Sequence, residues 1–167
     1  VPVIDSDGDV LTMPGYSHDT GLLFEPRVNP HPVPENPTHE DAKAACALLL
    51  DLVTDFPFVD DAHKAGWLAY VATIVARFSF DGPTPMFLFD AAAIGTGKTL
   101  LEWSGAHIAM GAESWKGQWP VDDDPEQRKL VTTLAIKGPR AISFDNLKRG
   151  ATVGGPALEM VLTSTKW

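Results

Sequence analysis

The sequence predicts an α/β fold: a parallel sheet flanked by helices over residues 81–167, preceded by an extended lead-in over 1–37 and a helical pair over 38–80. Three observations carry that prediction. Residues 86–101 pass from an apolar run through a small-residue turn into a helical pattern. Residues 113–145 then alternate short strands with a further helix, the order that places helices on the faces of a parallel sheet. Finally, seven of the fourteen prolines fall in the first 37 residues, where no helical period is found.

In the lead-in, Val1-Pro2-Val3-Ile4 and Val10-Leu11-Thr12-Met13 flank an acidic stretch and predict a small hairpin turning at Asp7-Gly8. The acids resemble a calcium loop only superficially. Gly8 comes two positions early, and Tyr16 stands where the bidentate glutamate belongs. Thr38 reads as an N-cap with acids in the turn after it. From there Ala42, Ala45, Cys46, Leu49, Leu52, Val53 and Phe56 keep helical spacing up to Pro57. A second helix is expected from Asp60-Asp61 through Trp67, Leu68, Val71, Ile74 and Val75 to Phe78. It is apolar nearly all round, which suggests burial between layers. The pair is expected to pack on the α/β region beyond residue 80 rather than to form a subunit interface. Gly82-Pro83-Thr84-Pro85 breaks the pattern. Beyond it are expected a strand at 86–90, a helix from Lys98 to about Met110, a short strand within 113–119, a helix over 125–137 capped by Asp124, a strand at 140–145 and a last helix from Ala157 to about Leu162. Asp122-Asp123-Asp124 reads as capping and solvated loop rather than a metal site.

The chemistry is concentrated in Asp90-Ala91-Ala92-Ala93-Ile94-Gly95-Thr96-Gly97-Lys98-Thr99-Leu100-Leu101. A strand, a glycine-bearing turn and a helix opening at Lys-Thr form the layout of a phosphate-binding P-loop. Backbone N–H groups cradle phosphate, the lysine reaches the β and γ phosphates, and the following hydroxyl ligates Mg²⁺. Ala92, Ala93, Ile94, Gly95, Thr96, Gly97, Lys98, Thr99 and Leu100 are the expected nucleotide-binding residues. The pattern G-x-x-x-x-G-K-[ST] asks for glycine where Ala92 stands, a position alanine fills if its φ is negative. The bland alternative is a glycine-rich turn that binds nothing. The strand before and the helix after favour the functional reading.

An NTPase needs an aspartate at the end of another strand, and Arg140-Ala141-Ile142-Ser143-Phe144-Asp145-Asn146 resembles a Walker B strand. Thr99 and Asp145 are the expected Mg²⁺ ligands, since Mg²⁺ keeps several waters and takes few carboxylates. Lys98, Asp145 and Asn146 are the expected catalytic residues. Asn146 stands where many ATPases of the AAA+ class have glutamate; an amide orients water but is no general base. Taken alone, Asp145 reads equally well as a turn residue after a strand.

Composition bounds these readings. A chain of 167 residues with 44% hydrophobic content is long and apolar enough for an ordinary core. The formal charge of −9 gives no sign of a large basic face. Cys46, the single cysteine, is expected to be a small buried residue. The five histidines show no paired metal-ligand spacing. Most of the five tryptophans are expected in the core rather than as stacking faces for bases. No run is long and apolar enough to span a bilayer and no leader pattern is found; the expectation is a cytoplasmic protein without membrane contact. The start without methionine and the stop at Trp167 read as the bounds of a piece of something larger.

The loop, Asp124-Pro125-Glu126-Gln127-Arg128-Lys129 and Ile142-Ser143-Phe144-Asp145-Asn146 together resemble the ATPase module of phage and mobile-element primase-helicase proteins, relatives of AAA+ and superfamily-three helicases. The lead-in from Asp7-Gly8-Asp9-Val10-Leu11 through Pro14-Gly15-Tyr16 and Thr20-Gly21-Leu22 is similar to the segment preceding that module. The resemblance implies a P-loop NTPase core, ATP and Mg²⁺ as cofactors, self-association into a ring, single-stranded or forked DNA as a partner of the full-length protein, and a cytoplasmic site in a bacterial host. It also implies sensor and arginine-finger residues beyond the Walker B strand, and neither Arg140 nor Arg149 is assigned as the finger. Loss of such a finger lowers the rate roughly 10³–10⁵-fold. Other readings stay open: a P-loop small-molecule or nucleoside kinase, although no arginine-rich lid is seen, and a nucleotide-binding assembly module without turnover. A GTPase lacks support, because Asp145-Asn146-Leu147-Lys148 is not the guanine-reading order.

Overall fold

In the computed structural model, which describes residues 3–26, 31–93, 95–148 and 150–165, the first hairpin forms where the turn residues place it. β1 (Val3–Ile4) pairs antiparallel with β2 (Val10–Leu11). Asp5 Oδ1 accepts from the N–H groups of Asp7 and Asp9 at 3.0 and 2.9 Å, and Gly8 takes a left-handed φ of +88°. A second hairpin, β3 (Gly15–Ser17) with β4 (Leu22–Phe24), was not foreseen. Its turn carries Gly21 at φ +69°.

α1 (His39–Asp51) opens on a capping box. Thr38 Oγ1 accepts from the Asp41 N–H at 3.2 Å, and Asp41 Oδ2 accepts from the Thr38 N–H at 2.8 Å. The Thr38 hydroxyl, which donates to Asp41 Oδ2 at 2.6 Å, and after it the Thr38 N–H hold the Asp41 carboxyl below its ordinary value. The helix ends at Asp51, earlier than its spacing suggests. Beyond it the chain tightens into i→i+3 turns, with the N–H of Val53 bonding the carbonyl of Leu50 at 3.2 Å and that of Phe56 bonding Val53 at 3.1 Å. Such turns keep residues 50, 53 and 56 on one side, so the inward periodicity outlasts the helix. Cys46 is exposed, contrary to expectation, because α1 buries no residue and only its last turn reaches the core.

α2 (Asp61–Val75) is capped by Asp60 and stops three residues short of Phe78. Its buried residues Trp67, Tyr70, Val71 and Ile74 follow i, i+3, i+4, i+7 and face α3 (Lys98–Met110). Close approach of the two helices rests on Gly105: a Cβ there would stand 2.8 Å from Tyr70 Cε1 and 3.2 Å from Trp67 Nε1. Ala106 and Ala109 complete the small face, and the cluster also takes in Val53.

Residues 86–90, expected as a strand, run alongside without a ladder partner and belong to no sheet among the described residues. Phe87 and Phe89 turn inward onto Tyr70, with ring centroids 5.4 and 5.2 Å away, while Met86 and Leu88 are exposed. The strand alternation is there; the hydrogen-bonded neighbour is not. β5 (Trp115–Gly117) and β6 (Ile142–Phe144) form the one parallel pair among the described residues. Between them lies α4 (Asp124–Lys137), capped by Asp123 rather than Asp124. Asp124 instead pairs with Arg128 at 2.8 Å. α5 (Pro156–Thr163) packs against α4. Trp67 and Trp119 are buried, Trp103 and Trp115 partly so; Trp167 lies outside the described residues. The whole is mixed α/β with short two-stranded sheets.

Candidate functional site

α3 starts directly after Gly97, whose φ of +89° lies in the left-handed region, and no side chain caps that helix end. Gly95 has φ +82°. Both conformations strain any residue with a Cβ. A side chain at Gly97 would also meet the ring of Phe56, with Cε1 3.0 Å from the added carbon. Ala92 and Ala93 are exposed and Ala92 does not take a positive φ, so alanine meets the requirement set by its place in the loop. Thr96 Oγ1 donates to the Ala93 carbonyl at 3.3 Å, bracing the turn from within. Ile94 lies outside the described residues.

Lys98 is half-buried at the head of α3, and no hydrogen bond or ion pair among the described residues engages its ammonium. Thr99 and Leu100 are exposed. Across the site, β6 delivers Asp145. Its N–H extends the parallel ladder by bonding the Gly117 carbonyl at 3.0 Å, which fixes the backbone where the strand ends. Thr99 Oγ1 donates to Asp145 Oδ2 at 3.3 Å. The other carboxylate oxygen accepts from the Asn146 N–H at 2.7 Å. Asn146 itself is exposed, with φ +58°, a conformation asparagine tolerates better than most residues. Two residues 46 positions apart therefore meet at one end of the parallel pair. A hydroxyl beside a carboxylate whose second oxygen is held by backbone suits Mg²⁺, which needs few protein ligands. Among the described residues no group of three or more His, Cys, Asp or Glu side chains gathers to hold a metal.

Behind the loop lies a polar contact that sequence reasoning missed. Glu102, one turn into α3, is buried; its Oε1 accepts from Ser114 Oγ at 2.7 Å and Tyr70 Oη at 3.2 Å, while Oε2 has no partner among the described residues. Burial, then the nearby Glu102 carboxylate, push the Tyr70 hydroxyl well above its ordinary value of 10.0. Trp67 Nε1 donates to the Leu101 carbonyl at 3.1 Å. The first turn of α3 is thereby tied to α2 by side chains that donate to it. The available signal was a glutamate on the stripe Glu102, Gly105, Ala106, Ala109, otherwise made of small apolar residues.

Comparison with protein-family models, curated proteins and solved structures gave no match for this chain. No helix among the described residues is long and apolar enough to cross a membrane.

Proposed function

We propose that this chain is the nucleotide-binding part of a P-loop ATPase that binds Mg-ATP between the loop at residues 92–100 and the end of β6, and that it belongs to a DNA helicase or primase-associated ATPase of a phage or mobile element. The observation that supports this most is the 3.3 Å contact between Thr99 and Asp145. A loop that merely turned the chain would have no need to meet an aspartate from a distant strand. Mg²⁺, when bound, would supply positive charge to offset that of the phosphates. Thr99 and Asp145 hold it, Lys98 neutralises phosphate charge from the helix end, and N–H groups beside Gly95 and Gly97 donate to the remaining oxygens. Asn146, anchored through its own N–H to Asp145, orients water without taking its proton.

That last role favours one second reading, a nucleotide-binding assembly module with little turnover, because no carboxylate stands at position 146 to serve as base. Calorimetric titration with Mg-ATP, run beside Lys98→Ala, tests binding. Saturable binding lost in the variant supports the loop; equal binding by both proteins removes it. Hydrolysis stimulated by single-stranded DNA then favours the motor over the assembly module.

A further inference from the structure

The opposite end of β6 carries a feature the nucleotide site does not use. Arg140 precedes the strand, about 16 Å of extended chain from Asp145. Its guanidinium carbon lies 5.9 Å from the centroid of the Phe78 ring, and that of Arg77 lies 5.7 Å from the centroid of Phe80. Both arginines line one cleft of about 600 Å³ between the end of α2, the turn after α4 and the hairpin loops. Arg140 Nε and Nη2 are buried and have no hydrogen-bond partner among the described residues. These two nitrogens form the side-on edge of the guanidinium, the edge that takes two oxygens of an oxyanion in parallel. Burial alone pulls the Arg140 pKa down, with no carboxylate offsetting it. A buried charge without an acceptor weakens the fold, and such an orphan calls for a partner from outside.

The unpartnered guanidinium edge, not the net charge of the wall, decides which partner. Asp5, Asp19 and Asp81 share its wall, and none pairs with either arginine among the described residues. Asp5 already receives two backbone N–H groups through Oδ1, and Asp19 and Asp81 are exposed, where water and salt screen them. The desolvated charge is that of Arg140. Two guanidiniums match a dianion better than a single carboxylate, and the Ser6 and Thr20 hydroxyls add donors to the wall. Reaching the buried edge requires part of the cleft wall to shift. The hairpins pair within themselves and pack little against the helices.

We propose that this cleft is an anion site that binds a phosphate group on the Nε–Nη2 edge of Arg140, with Arg77 as the second cation. The site is independent of the loop at residues 92–100. Its test is thermal melting of the whole chain carrying Lys98→Ala, in phosphate-free buffer and in millimolar inorganic phosphate. Phosphate is expected to raise the melting temperature by a few degrees. Adding Arg140→Met should abolish that rise and leave the phosphate-free melting temperature equal or higher, because an orphaned charge has been replaced by an apolar chain of similar length. Arg140→Lys should keep only part of the rise, since it retains charge without the fork. A rise that persists in Arg140→Met overturns the proposal, as does a lower phosphate-free melting temperature for that variant, which would make the guanidinium structural. A rise seen only when Lys98 is intact also overturns it and leaves the loop reading standing. A thymidine oligonucleotide with a 5′-terminal phosphate, which is a dianion near neutral pH, serves as the second probe. An equal, Arg140-dependent shift assigns the phosphate to nucleic acid, and no shift assigns it to a free anion; both uphold the site.

Discussion

α1 and α2 are neighbours, similar in length and both rich in alanine and aliphatic residues, yet α2 buries four side chains and α1 none. The difference lies in what each faces. α2 lies against a helix whose inner surface is glycine and alanine, so its aromatic residues reach the α3 backbone: Trp67 bonds the Leu101 carbonyl, and Tyr70 fits over Gly105. α1 meets α2 through its last turn, and leaves Leu48 68% and the capping Leu52 61% exposed. An apolar helix is buried by the shape of its neighbour, and here that neighbour is the helix that begins at the phosphate loop.

Substitutions on the two helices should separate them sharply. The largest effect is expected for Trp67→Ala, which removes a buried indole and one of the donors to the Leu101 carbonyl; a loss of about 3–5 kcal/mol in urea denaturation is expected, against under about 0.5 kcal/mol for Leu48→Ala. Comparable losses would show that α1 is covered in solution. Next comes Gly105→Val, whose branched side chain would enter the Tyr70 ring; overpacking should remove about 1–3 kcal/mol, while Cys46→Val on α1 should change stability little. If Gly105→Val is tolerated without loss, the close approach of α2 and α3 is wrong. Ser114→Ala should then cost about 1–2 kcal/mol by taking a donor from the buried Glu102 carboxylate.

The smallest effect concerns pH. The folded-state pKa of Tyr70 lies above its ordinary value of 10.0, so its neutral form is favoured in the fold. The associated stability is intact below pH 10 and declines as pH rises beyond it, because the unfolded chain releases the proton first. Tyr70→Phe is therefore expected to flatten the alkaline limb of a stability profile relative to the parent chain. Parallel limbs for the two proteins would contradict the burial of that hydroxyl.

Much of the local structure is legible in the sequence. The Lys98–Met110 helix falls between two left-handed glycines, and the caps at Thr38 and Asp60 are written in short polar side chains followed by acids. Helix ends were less so, because i→i+3 turns after α1 preserve the inward spacing of residues 50, 53 and 56. The alternation at 86–90 predicts a strand, but the segment joins no sheet among the described residues. Pairing depends on a neighbouring strand that a local pattern cannot disclose. Cys46 was misjudged because its alanine and leucine surroundings describe the helix, not what covers it. At the candidate site, residue types and order were visible, but the meeting of Thr99 with Asp145 is a matter of chain path. Glu102 was passed over because a single glutamate in a helix is ordinarily a solvated residue, and only the approach of Tyr70 and Ser114 gives it a buried role.

The central claim is that Thr99 and Asp145 form one Mg²⁺-holding unit, and a double-mutant cycle on Mg-ATP affinity tests it most directly. Thr99→Ala and Asp145→Ala should each weaken binding, and the double variant should bind no more than marginally worse than the weaker single one, since either change disables the same ion site. Losses that simply add, or a single variant that binds as the parent does, would contradict a shared site.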